Sequence, residues 1–449
     1  MKMYVFLLIV IIYLFISFNV TKRDWAFPSN IVLGMYIISI CFFISESNTW
    51  GIDIGNTTFS LLILGITTYT LVGIIVFIIF SKVSIRKENF NYDYVEKENS
   101  TYYADINPVI SCLLIIFEVI GFIAYFKNVR NHSLMIGSYS SLSEMIGNYR
   151  DAGSLGDAGT GLSSFSLNSY RLMTALAYIY MGIIVQFLVA KKKSNFVWKI
   201  LHFTPIIIFI ACSLLTGGRN PIIQLFLAFI IMYYVKYKQL NKNKKLSKKA
   251  TLKIIVGLVL ALISFSIFRG VVGRTSTYST WDYLAIYIGA PIKLFDLFLK
   301  NGGGLPHFYI GQETFSNLWE SFGFNIPSHS NLEFRVFNNW ALGNVYTPFR
   351  RYYSDFGVWG IIILTSIEAL FYSLYYLIIK KKKFNPYILD VTTLIYSYLA
   401  IGPFYYSVVE RFYLLWSKNT LIIILEIYVL AKILTKFKLK KYRERRGAK

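Results

Sequence analysis

Apolar residues in this chain gather in long uninterrupted runs rather than alternating as in a half-buried strand. A bilayer core about 30 Å thick takes roughly 20 apolar residues per helix. Eleven such runs lie near 3–20, 27–44, 58–80, 108–126, 170–190, 199–216, 221–235, 252–269, 356–379, 387–405 and 417–435. The first has no small-residue cleavage site and too long an apolar stretch for a signal peptide, so it reads as a retained span. The pattern predicts an all-α polytopic integral membrane protein, a single membrane domain over 1–449 with about 11 transmembrane helices. A large outer loop carries short interfacial helices.

Composition agrees. Hydrophobic residues make up 55% of the 449 and charged ones only 15%, with a mean hydropathy of +0.51, which excludes an ordinary soluble enzyme. The net charge of +23 sits in short clusters between apolar runs and forms no continuous basic face, so nucleic acid is not an expected partner. Cys41, Cys112 and Cys212 all fall inside apolar runs and offer no disulfide framework for outer loops.

Basic residues tend to stay on the cytoplasmic side. With the N-terminus outside, the inner segments hold 31 of the 46 Lys and Arg, and 26 of those 31 are Lys. Of the 15 outer ones, 10 are Arg: Arg130, Arg150, Arg171, Arg219, Arg269, Arg274, Arg335, Arg350, Arg351 and Arg411. A guanidinium matches phosphate and carboxylate bidentately, whereas Lys is a flexible point charge. A single outer Arg can simply snorkel at the interface, but ten together predict an anionic ligand on the outer face.

Two outer segments exceed a turn. The Gly- and Ser-rich 127–169 reads as a mobile flap loop, and 270–355 as a large loop with candidate active-site residues. Within the latter, Trp281 to Leu299 is interrupted by Gly289 and Pro291 and reads as a re-entrant or interfacial helix pair, with a full span as the other reading.

Two constellations carry candidate chemistry. TGGRNP, Thr216 to Pro221, offers Asn220 as a cap and Pro221 as a helix opener. It is either a phosphate seat beside Arg219, where glycines let amides approach, or a tight turn whose glycines serve geometry. GNVYTPFRRYYSDFGVWG, Gly343 to Gly360, pairs Arg350 with Arg351 and flanks them with Tyr346, Tyr352 and Tyr353, aromatics able to stack on sugar rings. There Gly357 and Gly360 open a span, and Asp355 is either a helix cap or a proton acceptor. Glu118, Glu368 and Glu426 lie within spans, as functional carboxyls or as helix-to-helix hydrogen bonds. The four His lack metal-ligand spacing, and neither a nucleotide phosphate loop nor a dinucleotide fingerprint is present. No metal or other cofactor is expected.

The GGR turn between two mid-chain spans, followed by a large outer loop ending in NVYTPFRRYYSDFGVWG, resembles the bacterial oligosaccharide repeat-unit polymerases of O-antigen and capsule assembly, the Wzy family. The likeness covers most of the chain as architecture and about 25 residues as motif. An Arg-x10-Gly spacing seen in some members also occurs at Arg150 to Gly161. The resemblance implies a multi-pass glycosyltransferase of the bacterial cytoplasmic membrane. It would act at the outer face on undecaprenyl-pyrophosphate-linked oligosaccharide, among membrane lipid, with a chain-length regulator protein as a further partner. Pyrophosphate would be held by Arg219, Arg274, Arg350, Arg351 and Arg411, and sugar by Tyr346, Tyr352 and Tyr353. The base taking the acceptor hydroxyl proton would be Asp355 or, second, Glu410, with His329 and Glu313 also open. An O-antigen ligase-type transferase and a lipid-linked oligosaccharide flippase are the alternatives.

Overall fold

The computed structural model describes residues 1–82, 104–154, 162–241, 248–249, 251–254, 256–257, 270, 279–302, 308–324, 326 and 332–447. It is a predominantly helical, multi-pass membrane fold. Among the described residues, eight helices are long and apolar enough to cross a bilayer: α1 (Lys2–Val20), α2 (Pro28–Ser45), α3 (Asn56–Ser81), α4 (Pro108–Ile136), α6 (Ser164–Val189), α7 (Phe196–Leu215), α8 (Asn220–Leu240) and α12 (Pro348–Lys381). Between α4 and α6 lies α5 (Leu142–Ser154), and between α8 and α12 lie α9 (Thr280–Ile288), α10 (Ala290–Asn301) and α11 (Ser316–Ser321). The chain ends with α13 (Val391–Leu399), α14 (Ile401–Tyr405) and α15 (Lys418–Gly447). Most of the run expected at 252–269 lies outside the described residues.

Helix starts follow local chemistry. Asn107 accepts a hydrogen bond from the Val109 amide ahead of Pro108, Ser163 from that of Ser166, and Asn195 from that of Trp198, each pairing an amide the helix leaves unsatisfied. Ser279 and Asp282 form a reciprocal capping box at α9. At TGGRNP the sequence expectation needs correction. Asn220 is already helical, and Arg219 holds the cap position without a capping hydrogen bond from its side chain.

The stretch expected as a flap over 127–169 is largely helix among its described residues. Residues to Ile136 belong to α4, and α5 opens where the Glu144 carboxylate accepts from the Ser140 amide and hydroxyl while the Ser141 hydroxyl accepts from the Glu144 amide. This cap signal outweighs the glycine content. Residues 281–299 form a pair of short helices meeting at Gly289, and at 9 and 12 residues neither can cross a 30 Å core. A Cβ at Gly289 would stand 2.7 Å from the Phe43 amide nitrogen, so the break rests directly on the α2 backbone. One exception to the all-helical pattern is a hairpin of β1 (Arg335–Phe337) and β2 (Trp340–Gly343), turned by Asn338 and Asn339, both at positive φ. A tight two-residue hairpin turn requires this geometry, and Asn tolerates it.

Contacts gather into two compact units. The first comprises Met1–Ser84, Thr277–Ile378 and Leu399–Thr420; the second comprises Ile85–Ser276, Ile379–Tyr398 and Leu421–Lys449. The core of the first centres on α2, α3, α10 and the start of α12, where Phe349 stacks on Tyr36 and presses against Gly65; a Cβ there would lie 2.2 Å from the ring. Asp296 on α10 accepts from the Gly55 amide and the Thr58 hydroxyl, both at 2.7 Å, and so caps α3 from far along the chain. In the second unit, buried Lys236 pairs with Asp390 at 2.9 Å, and Gln239 donates to the Ile379 carbonyl.

Candidate functional site

The site belongs to the first unit and is organised by the first turns of α12. Pro348 sits at the helix start, where its fixed φ suits the first turn. Successive residues of a helix point about 100° apart, so the adjacent arginines diverge. Arg350 is buried. It donates to the buried Glu313 carboxylate, takes Glu333 through Nε and Nη2 (3.4 and 2.7 Å), and lies 4.4 Å above the Phe298 ring. Arg351 donates to the Glu313 carbonyl at 2.6 Å and lines an open cleft.

Glu313 is the hub of this region. Besides Arg350 it receives the Ser354 hydroxyl at 2.9 Å, and its own amide donates to Asp355 at 3.1 Å. Asp355 also accepts from the Thr314 amide at 2.7 Å. Four side chains of one helical stretch therefore hold the turn around Gly311, which has φ +65°. Burial raises the Glu313 carboxyl, but the hydrogen bond and charge of Arg350, with Ser354 and Arg351, outweigh it and leave the group below its ordinary range. Glu313 is thus an ionised partner of Arg350.

The cleft encloses about 310 Å³ and is lined by Tyr346, Thr347, Arg351, Glu410, Arg411 and Tyr413, with Asn344 and Glu320 among its further polar residues. Glu410 is 2% exposed; one carboxylate oxygen accepts from the Tyr413 amide at 2.8 Å, and the other has no hydrogen-bond partner among the described residues. Burial pushes this carboxyl above its ordinary value, opposed by Arg351, the Tyr413 amide and Arg411. Arg411 donates to the Tyr413 hydroxyl at 2.9 Å and lies 5.1 Å from the Tyr405 ring centre, while its buried Nε has no partner among the described residues. The Tyr346 hydroxyl donates to the Glu333 carbonyl and accepts from Arg335 Nε, both at 2.9 Å. Burial and then the Glu333 carboxylate raise its phenol, so it stays neutral.

The residues singled out from sequence therefore separate. Arg351, Arg411, Glu410 and Tyr346 share the cleft. Arg350 is committed to two carboxylates, and Asp355 to two backbone amides. Tyr352 is a core residue that donates to Glu368 at 2.8 Å, and Tyr353 packs at the edge of the same core. Arg219 belongs to the second unit, 6% exposed beside a turn where Gly217 takes φ +68° and the Thr216 hydroxyl accepts from the Gly218 amide. Arg274 and His329 lie outside the described residues. Sequence reasoning missed Thr347, Tyr413 and Glu333. For Tyr413 a signal existed, since ERFY repeats the charge-next-to-aromatic grouping of FRRYY. Two guanidinium groups beside a buried carboxyl with a free oxygen can hold an anionic group and receive a proton from a neighbouring hydroxyl. Comparison of the chain with protein-family models, with curated proteins and with solved structures finds no match.

Proposed function

We propose that this chain is a membrane glycosyltransferase that polymerises undecaprenyl-pyrophosphate-linked oligosaccharide repeat units at the outer face of the bacterial cytoplasmic membrane, through about eleven spans. The observation that carries the reading is the cleft in which Arg351 and Arg411 accompany Glu410, whose second carboxylate oxygen has no partner among the described residues. In the proposed reaction the acceptor hydroxyl oxygen bonds to the donor's anomeric carbon as the bond to the diphosphate breaks. Glu410 takes the hydroxyl proton, and the bonding electron pair leaves on the diphosphate. Arg351 and Arg411 stabilise that charge as it develops, which preorganised cations do without reorganisation at the moment of reaction. Arg350 acts as a positioning residue, since it holds the turn to which Arg351 is bonded. Tyr413, only partly buried, supplies an aromatic face for a sugar.

Purified protein incubated with lipid-diphosphate repeat units tests this directly. A ladder of products is expected, and its loss in Glu410→Gln with folding intact ties it to the cleft. A single transfer to a different lipid assigns a ligase instead. Substrate recovered intact on the opposite side of a vesicle assigns a flippase.

A further inference from the structure

We propose that Glu118, in the second unit, is a proton-binding site within the membrane, an assignment independent of the polymerase reading. Leu113, Ile116, Ile120 and Ile123 leave one face of α4 exposed as lipid contact. On the other face Ser111, Glu118, Gly121, Tyr125, Val129 and His132 are buried, and α4 packs on α6 and α7. Glu118 is 0% exposed, and neither carboxylate oxygen has a hydrogen-bond partner among the described residues. At about 1.5 Å rise per residue it lies some 15 Å into a helix of 29 residues, about one turn from the middle.

Gly121 lets α6 come close at this depth, for a Cβ there would stand 3.0 Å from Ser169. The interface also buries hydroxyls of Tyr125 and Tyr178 that lack partners among the described residues. Tyr180, near enough to interact electrostatically with Glu118, donates to Ser111 at 3.1 Å. The titratable and charged groups on the elements packed against α4 are Tyr170, Arg171, Tyr178 and Tyr180 of α6, Lys199, His202 and Cys212 of α7, and Glu144, Tyr149, Arg150 and Asp151 of α5. The basic groups among them are engaged or outside: Arg171 donates to Asn168, His202 meets Asp105 at 2.8 Å, Arg150 pairs with Asp151, and Lys199 is exposed. A bare carboxylate is not sustained in such surroundings. Glu118 therefore holds a proton. No group among the described residues accepts that proton, so it is not spent on a structural hydrogen bond, and its removal would leave a bare charge where α4 packs on α6 and α7.

Infrared spectra of the full chain in lipid nanodiscs, recorded across a pH series, test the assignment. Wild type is expected to show the carbonyl stretch of a neutral carboxylic acid at neutral pH that fades on alkalinisation. The component should be lost in Glu118→Gln and shifted in frequency in Glu118→Asp. If the Gln variant does not fold, the Asp variant decides, and an unshifted band overturns the proposal. So does a Gln spectrum identical to wild type, or removal of the band by added Na⁺ at fixed pH, which would make the site one for a metal cation.

Discussion

Glu410 is buried and Asp355 partly so, yet the oxygens of the two carboxyls are used differently. Asp355 spends both on backbone amides; Glu410 keeps one without a partner among the described residues. Glu410→Gln should leave folded, lipid-binding protein whose polymer formation falls by roughly 10²- to 10⁴-fold, the usual contribution of a positioned base. Asp355→Asn should retain turnover and lower stability by about 1–3 kcal/mol through one lost charge-assisted bond. Product ladders and denaturation midpoints separate the two, and normal polymer from Glu410→Gln removes it from the reaction. A base works only when ionised, and burial raises the Glu410 carboxyl. Turnover should therefore climb with pH through a range above that of an ordinary carboxylate. Glu313 carries the opposite sign. Its carboxyl is held low, so its stabilisation is complete at neutral pH and is lost as pH falls through about 4 and below. Glu313→Gln should cost about 3–5 kcal/mol, the range for breaking a buried ion pair, and should flatten the acid limb of the stability curve.

Among elements, α12 shows what the sequence does and does not disclose. Its apolar body was legible. Its start was not. The chain reads as a span opened by Gly357 and Gly360, whereas the helix begins at Pro348 and breaks at Gly357, with φ 62° and ψ −146°. The polar stretch RRYYSD is helical because Glu313, Thr314 and Glu333 meet its side chains, and such distant partners leave no local trace. The same reason hid the divergent roles of the two arginines. That Gly357 conformation is nearly closed to other residues, so Gly357→Ala should cost about 1–3 kcal/mol and reset the angle between the two pieces of α12. Thermal unfolding and cysteine cross-linking across the break measure both. An unchanged melting temperature would contradict the conformation.

For the whole molecule, the basic loops give a topology that labelling can check. A cysteine introduced at Asn301 should react with an impermeant reagent in intact cells, and one at Asn385 only after permeabilisation. The reverse pattern would invert the proposed outer site. The apolar spans were readable because bilayer thickness acts on composition. The grouping of helices into two units was not, because it depends on which faces meet.

The two walls of the cleft are fastened unequally. On the side of Arg351, Glu313 is tied to Arg350, Arg351, Ser354 and Asp355, and Arg350 is tied onward to Glu333. On the other side, Glu410 and Arg411 are held through the short turn at Tyr413, with Arg411 also against the Tyr405 ring. Among the described residues the first wall is cross-linked by ion pairs between distant segments, and the second by local contacts. A binding pocket built this way keeps its charged anchor point constant while its opposite side adjusts to the outline of what is bound. Changes in the shape of ligand accepted can thus arise from substitutions around 409–413 without disturbing the anchor.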